Sequence, residues 1–178
     1  MSDLTPRAGD WAARFSIQQM KPDHYAGKGY VHYQAWRESY RGLMGDQVLD
    51  GQTLEHCREM AAAYPENTLV LLDQNRGGQV AGFACYAPEA RSFVSLPEAS
   101  EIVALYLLHA YKGLGLGRRL MEACLSRLPH PAVSLFVLRD NLPAIGFYRH
   151  MGFRFTGHYL TQSLRGEALT ELEMALYR

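Results

Sequence analysis

Lys112-Gly113-Leu114-Gly115-Leu116-Gly117-Arg118-Arg119 sets three alternating glycines among three cations. An apolar run, Ile102 to Leu108, precedes it. Leu120, Met121, Cys124, Leu125 and Leu128 follow at helical spacing, so the segment reads as strand, glycine turn and helix. Without a Cβ, each glycine lets the backbone approach a ligand closely. The unpaired N–H groups at the helix start point outward, and the helix dipole favours an anion there. Lys112, Arg118 and Arg119 add positive charge to the same rim. The chemistry indicated is capture of a phosphate-bearing ligand.

A plain tight strand-to-helix connection would use glycine too, so the turn alone decides little. Two phosphate-binding alternatives fail on detail. A Walker loop ends in Gly-Lys-Ser/Thr to reach magnesium, whereas Arg118 follows Gly117. A dinucleotide fingerprint spaces its last glycine three residues after the second, whereas Gly113, Gly115 and Gly117 are evenly spaced.

About two dozen residues downstream stands Asn141-Leu142-Pro143-Ala144-Ile145-Gly146-Phe147-Tyr148-Arg149-His150-Met151-Gly152-Phe153. Together the two segments resemble the GNAT superfamily of N-acetyltransferases. Its Arg/Gln-x-x-Gly-x-Gly/Ala turn is matched by Lys112, Gly115 and Gly117. Its Asn-x-x-Ala-x-x-Phe-Tyr-x-x-x-Gly-Phe motif is matched by Asn141, Ala144, Phe147, Tyr148, Gly152 and Phe153. The resemblance is clearest over residues 100 to 156.

It implies an α/β fold: a mixed, mostly antiparallel sheet flanked by helices, with two central strands splayed to admit a pantetheine arm. It implies acetyl-CoA as cosubstrate, with the pyrophosphate on the backbone of Lys112, Gly113, Leu114, Gly115, Leu116 and Gly117, beside Arg118. Leu105, Tyr106 and Leu107 would line the pantetheine through backbone hydrogen bonds. Lys112 stands where Arg or Gln is more frequent; it keeps the charge and loses the forked donor geometry. Asn141 serves as a helix cap and, by the resemblance, contacts the cofactor arm with Ala144 and Tyr148. Tyr148 becomes the candidate acid for the departing CoA thiolate; ordinary core packing is its bland alternative.

The attacking amine must lose a proton. Where some members carry a Glu on the strand before Asn141, this chain has Phe136. Glu101, on the strand before the glycine turn, is the candidate base, against an exposed strand-end charge or a water relay. Trp36-Arg37-Glu38-Ser39-Tyr40-Arg41-Gly42-Leu43-Met44-Gly45-Asp46 resembles a stretch bordering the acceptor site in members acting on small amines. Glu38, Asp46 and Asp50 could attract a cation there. The reading is direct transfer to a primary amine, most simply that of a small molecule. Protein N-terminal or lysine acetylation and a non-catalytic CoA-binding module stand as alternatives, and the residues leave open whether the chain forms a homodimer.

Elements must position these groups. The alternation of Arg14 to Met20 predicts a strand. Helices are predicted at Tyr25 to Tyr40 and Gln52 to Tyr64, with a break from Gly42 to Gly51. A hairpin is predicted from Thr68–Asp73 and Gln79–Tyr86, then a strand at 101–108 and a helix at 116–128. Further strands are predicted at 133–138, 153–161 and 170–177, with a helix from Pro143 to His150. The 178 residues suit one domain, with 1–12 as a frayed terminus. Lys plus Arg (18) equals Asp plus Glu (18), which gives no case for nucleic acid or an anionic membrane. No apolar run nears the roughly 20 residues that span a bilayer, and Met1 to Pro6 lacks a signal-peptide pattern, so a cytoplasmic address is expected. The three cysteines show no Cys-x-x-Cys spacing and the seven histidines are scattered, so no metal is expected.

Overall fold

The structure is a computed structural model and describes residues 13–178; the frayed terminus expected over 1–12 lies outside the described residues. In chain order the elements are β1 (Phe15–Gln19), α1 (Tyr25–Tyr40), α2 (Asp46–Gly51), α3 (Leu54–Ala63), β2 (Thr68–Asp73), β3 (Gln79–Ala87) and β4 (Ala99–Leu107). Then follow α4 (Leu116–Leu125), β5 (Ala132–Leu138), α5 (Leu142–His150), β6 (Arg154–Leu164) and β7 (Glu167–Tyr177). The strands form one seven-stranded sheet in the order β1-β2-β3-β4-β5-β7-β6. Its neighbours run antiparallel except β4 and β5, which are parallel. This is the mixed sheet flanked by helices that the resemblance implied.

The sheet opens at one place. β4 and β5 pair from Ala99↔Ala132 to Ile102↔Leu135 and no further. β5 continues along β7 to Leu138↔Glu171, and β4 continues along β3 to Leu107↔Gly82. Val103 sits at the divergence as an extra residue, because Ile102 pairs with Tyr86 and Ala104 with Cys85. Such a bulge bends its strand and sharpens the twist, which carries Val103–Leu107 away from β5.

Helices cover both faces. On one, α4 buries Leu116, Leu120, Met121 and Cys124, a stripe at helical spacing. Leu120, Met121 and Cys124 join Leu135, Ile145, Phe153 and Met174 in a shared core. On the other, Val31 and Ala35 of α1 meet Val70, Phe83 and Leu107. Fully burying side chains of this size stabilises the fold by about 1.5–3 kcal/mol each. α1 crosses α3 closely because position 29 is glycine: a Cβ there would stand 2.8 Å from the Arg58 Cα.

Most element ends shift by one to three residues, and two regions differ from the sequence-based expectation in kind or length. The break at Gly42–Gly51 contains the short helix α2, held by buried Val48 and Leu49; six residues are too few to show a period. The last two strands are longer, meeting at a two-residue turn, Arg165–Gly166, with φ of 50° and 84°. β6 is exposed along almost its whole length, so it carries little of the alternation that marks a strand.

Candidate active site

The glycine turn is an open concavity of backbone. Gly113 and Gly115 have φ of 76° and 74°, and no heavy atom lies within 4 Å of where either Cβ would stand. Gly115 caps the N-terminus of α4. Gly117 has a different role: its Cβ would meet Leu107 Cδ1 at 3.1 Å, so it allows α4 to pack on β4. Leu116 is buried core and Leu114 packs against the α1-side core, leaving their backbones to the rim. Lys112 is exposed. Arg118 is exposed too, with its Nε donating to Glu122 Oε1 at 2.8 Å one turn along.

The opening between β4 and β5 leads into this turn. The β5-facing edge of Val103–Leu107 has no strand against it, so its backbone groups are free to bind an extended ligand arm. Side chains alternate across it: Leu105 joins the α4–α5 core, and Tyr106 faces α1. At the end of β5, the Asn141 side chain accepts from Ala144 N at 3.3 Å, capping α5 as its residue type predicts. α5 carries Tyr148 back to the opening, its ring 5.4 Å from Phe147 and 6.1 Å from Phe153. Burial, and secondarily Tyr40, raises the Tyr148 phenol well above its ordinary value, so it keeps its proton at neutral pH.

An open glycine turn at a helix start and an unpaired strand edge leading to it have the form that a pantetheine-linked nucleotide would need. The chain matches the Acetyltransferase (GNAT) family over residues 31–153, from α1 through the Asn141–Phe153 segment. It belongs to the GNAT family. Across 91% of its length it is 27% identical to a "probable N-acetyltransferase" of Mycobacterium tuberculosis, covering 93% of that protein. Over 92 residues, 52% of the chain, it is 33% identical to the 5-NmdU N-acetyltransferase of Pseudomonas phage PaMx11, covering 59% of that enzyme. Its fold is similar to that of the PaiA N-acetyltransferase of Thermoplasma acidophilum in complex with coenzyme A. There the TM-score is 0.64 at 15% identity, with 92% of this chain and 99% of that one covered. As a GNAT enzyme it is an acetyl-CoA-dependent acetyltransferase.

In this GNAT chain Glu101 is fully buried rather than an exposed strand-end charge. Arg91 Nε donates to both its oxygens at 3.1 and 3.0 Å, and the Arg91 backbone N–H adds a bond at 3.2 Å. Two positions beyond the β5 partner of Glu101, β7 carries a second buried carboxylate, Glu173. It accepts from Ser95 N at 2.9 Å, Ser134 Oγ at 3.1 Å and Thr156 Oγ1 at 2.7 Å. Burial pushes Glu173 up, but the bonds from Ser95, Thr156 and Ser134 outweigh it and hold the carboxyl below its ordinary value. Together the two acids pin the β3–β4 loop, residues 88–98, across the sheet. Phe93 of that loop lies 5.5 Å from the Phe136 ring.

The acids expected near the acceptor do not converge. Glu38 accepts from Gln34 Nε2 at 3.0 Å and from His109 N at 2.8 Å. Asp50 is exposed and 3.6 Å from Arg37 Nη1, and Asp46 opens α2 at the surface. What meets there instead is a set of rings. Tyr40 Oη and Tyr106 Oη are 3.1 Å apart, and Trp36 lies 4.7 Å from Tyr40. After burial, Tyr40 is the smaller cause of the raised Tyr148 phenol, and Tyr148 is one of the smaller causes that raise Tyr106. The spacing of Trp36 and Tyr40 on α1 is visible in sequence; their meeting with Tyr106 is not.

His32 completes this wall, 5.6 Å from Phe83 and 5.8 Å from Tyr106. Burial, followed by Lys28 and His56, pushes it down to about 4. A histidine with a depressed folded value binds its proton more readily when unfolded. Stability is therefore full above about pH 6.5, the ordinary value, and falls as pH drops towards 4. The thermal midpoint should decline across that window, and His32→Phe should remove part of the decline. Glu173 and Asp73, both depressed, lose their contributions only at lower pH, so the histidine window stands apart. An unchanged slope in the variant would count against a buried neutral His32.

Proposed function

We propose that this enzyme transfers acetyl from acetyl-CoA to the primary amine of a small molecule, by direct attack in a ternary complex. The observation that carries the small-molecule reading is a roof over the acceptor side. Gly45 N donates to Glu167 Oε2 at 2.7 Å, and Arg165 Nη2 donates to Gly51 O at 3.1 Å. These bonds tie α2 to the β6–β7 turn and narrow the space a polypeptide would have to cross.

Acetyl-CoA brings the acetyl group as an activated thioester. The backbone from Gly113 to Gly117 would hold its pyrophosphate, with Lys112 and Arg118 on the rim, and the free edge at Leu105, Tyr106 and Leu107 its pantetheine. Asn141 and Ala144 border the arm where α5 begins. Tyr148 presents a protonated phenol for the departing sulfur. Cys57 and Cys124 are buried with thiols raised by burial, Cys124 to about 12, which supports direct transfer over a covalent acyl-enzyme.

Both oxygens of Glu101 are engaged by Arg91, so we assign it to positioning the 88–98 loop, and the amine's proton to water. The test is thiol release from acetyl-CoA against a panel of polyamines, amino acids, aminoglycosides and peptides. Turnover with a small amine is expected; turnover with peptides alone would overturn the reading.

A further inference from the structure

Beside the phenols lies a cavity of about 80 Å³. Its walls are Trp36, Met44, Leu138, Leu164 and Leu169, with two polar residues, Gln162 and the carboxylate Glu171. That is about half the roughly 150 Å³ that holds benzene in an engineered core, enough for a short aliphatic body. Leu138 ends β5 directly across from Glu171, past the point where β4 has departed. The cavity therefore adjoins the β4–β5 opening. Glu171 is half-buried, and its Oε2 accepts from Gln162 Nε2 at 2.6 Å.

Glu171 also lies close enough to Tyr40 and Tyr106 to raise both phenols, although burial is the larger cause for each. Geometry carries the same neighbourhood: Trp36, which lines the cavity with Glu171, has its ring 4.7 Å from that of Tyr40, whose Oη is 3.1 Å from Tyr106 Oη.

We propose that Glu171 is the specificity-determining residue of the acceptor site, and that the acceptor is a primary monoamine with a short aliphatic body. Its ammonium pairs with Glu171 beside the phenols, and its chain lies between Leu138, Leu164 and Leu169. One carboxylate answers one cation. A second ammonium at the far end of the chain would enter an apolar cavity unpaired, which is strongly disfavoured. This separates the acceptor from polyamines, whose further charges the cavity does not meet.

The inference rests on the small-amine reading above, so the test pairs a binding readout with a turnover readout. The probes are n-pentylamine and 1,4-diaminobutane, which differ chiefly in a terminal methyl against a terminal ammonium. Calorimetry on the full chain gives amine affinity, and thiol release gives KM and kcat. The monoamine should be preferred by about tenfold or more in kcat/KM. Glu171→Gln, which keeps shape and the contact with Gln162, should raise its Kd and KM by about tenfold or more, the range of a charge-assisted bond. The acetyl-CoA affinity and thermal midpoint should stay unchanged.

A diamine preference, or an unmoved amine Kd in Glu171→Gln, overturns the proposal. Monoamine binding that depends on Glu171 without thiol release would instead overturn the reading of small-amine transfer and leave the pocket standing.

Discussion

Gly115→Val is expected to fold and to lose acetyl-CoA binding. The residue has φ of 74°, and no heavy atom lies within 4 Å of its Cβ position, so a side chain begins there in open space. Valine would fill the concavity, pushing a pyrophosphate off the N–H groups at the start of α4. Losing two charge-assisted bonds at about 1.5–3 kcal/mol each weakens binding by roughly 10² to 10⁴-fold. A branched residue at positive φ also destabilises the turn, on the order of 1–3 kcal/mol, so the thermal midpoint should fall without loss of the fold. Gly115→Ala, with a smaller obstruction, should lie between. Calorimetry with acetyl-CoA checks both, and wild-type affinity in a folded Gly115→Val protein would remove the cradle from the turn.

Tyr148→Phe is expected to lower kcat by about 10²-fold or more, the span of one general acid, with acetyl-CoA affinity almost intact. The substitution keeps the ring that packs on Phe147 and Phe153. Among the described residues the phenol has no hydrogen-bond partner, so its loss leaves no buried group orphaned and stability should barely change. A fall in kcat with unmoved thermal midpoint and unmoved acetyl-CoA affinity separates proton donation from packing. If kcat holds when chemistry limits the rate, Tyr148 is a core residue.

How much of this was legible in the chain follows from range. Gly113 and Gly115 adopt positive φ, a local need that glycine meets at little steric expense. The Asn141 cap spans three residues, and the Leu116–Leu120–Cys124 stripe repeats within one helix. Each signal lies within a few positions along the chain, so the residue types announce it. The GNAT resemblance adds the order of these pieces, which is why the sheet and its opening could be anticipated.

Other features depend on residues far apart in sequence. Glu101 reads in sequence as a candidate base or an exposed strand-end charge, because its partner Arg91 lies across a loop whose path no local pattern records. Tyr40 and Tyr106 meet across 66 positions. Glu38, Asp46 and Asp50 carried the expected charge for an acceptor site, yet Glu38 is engaged by a backbone N–H and the other two stay at the surface. The sequence by itself determined the family, the glycine turn that opens α4 and the cap that begins α5, because those rest on backbone conformation and short spacing. Only the tertiary structure decided which carboxylate faces the opening and which rings surround it, because burial and electrostatic partnership come from strands and helices brought together over long separations.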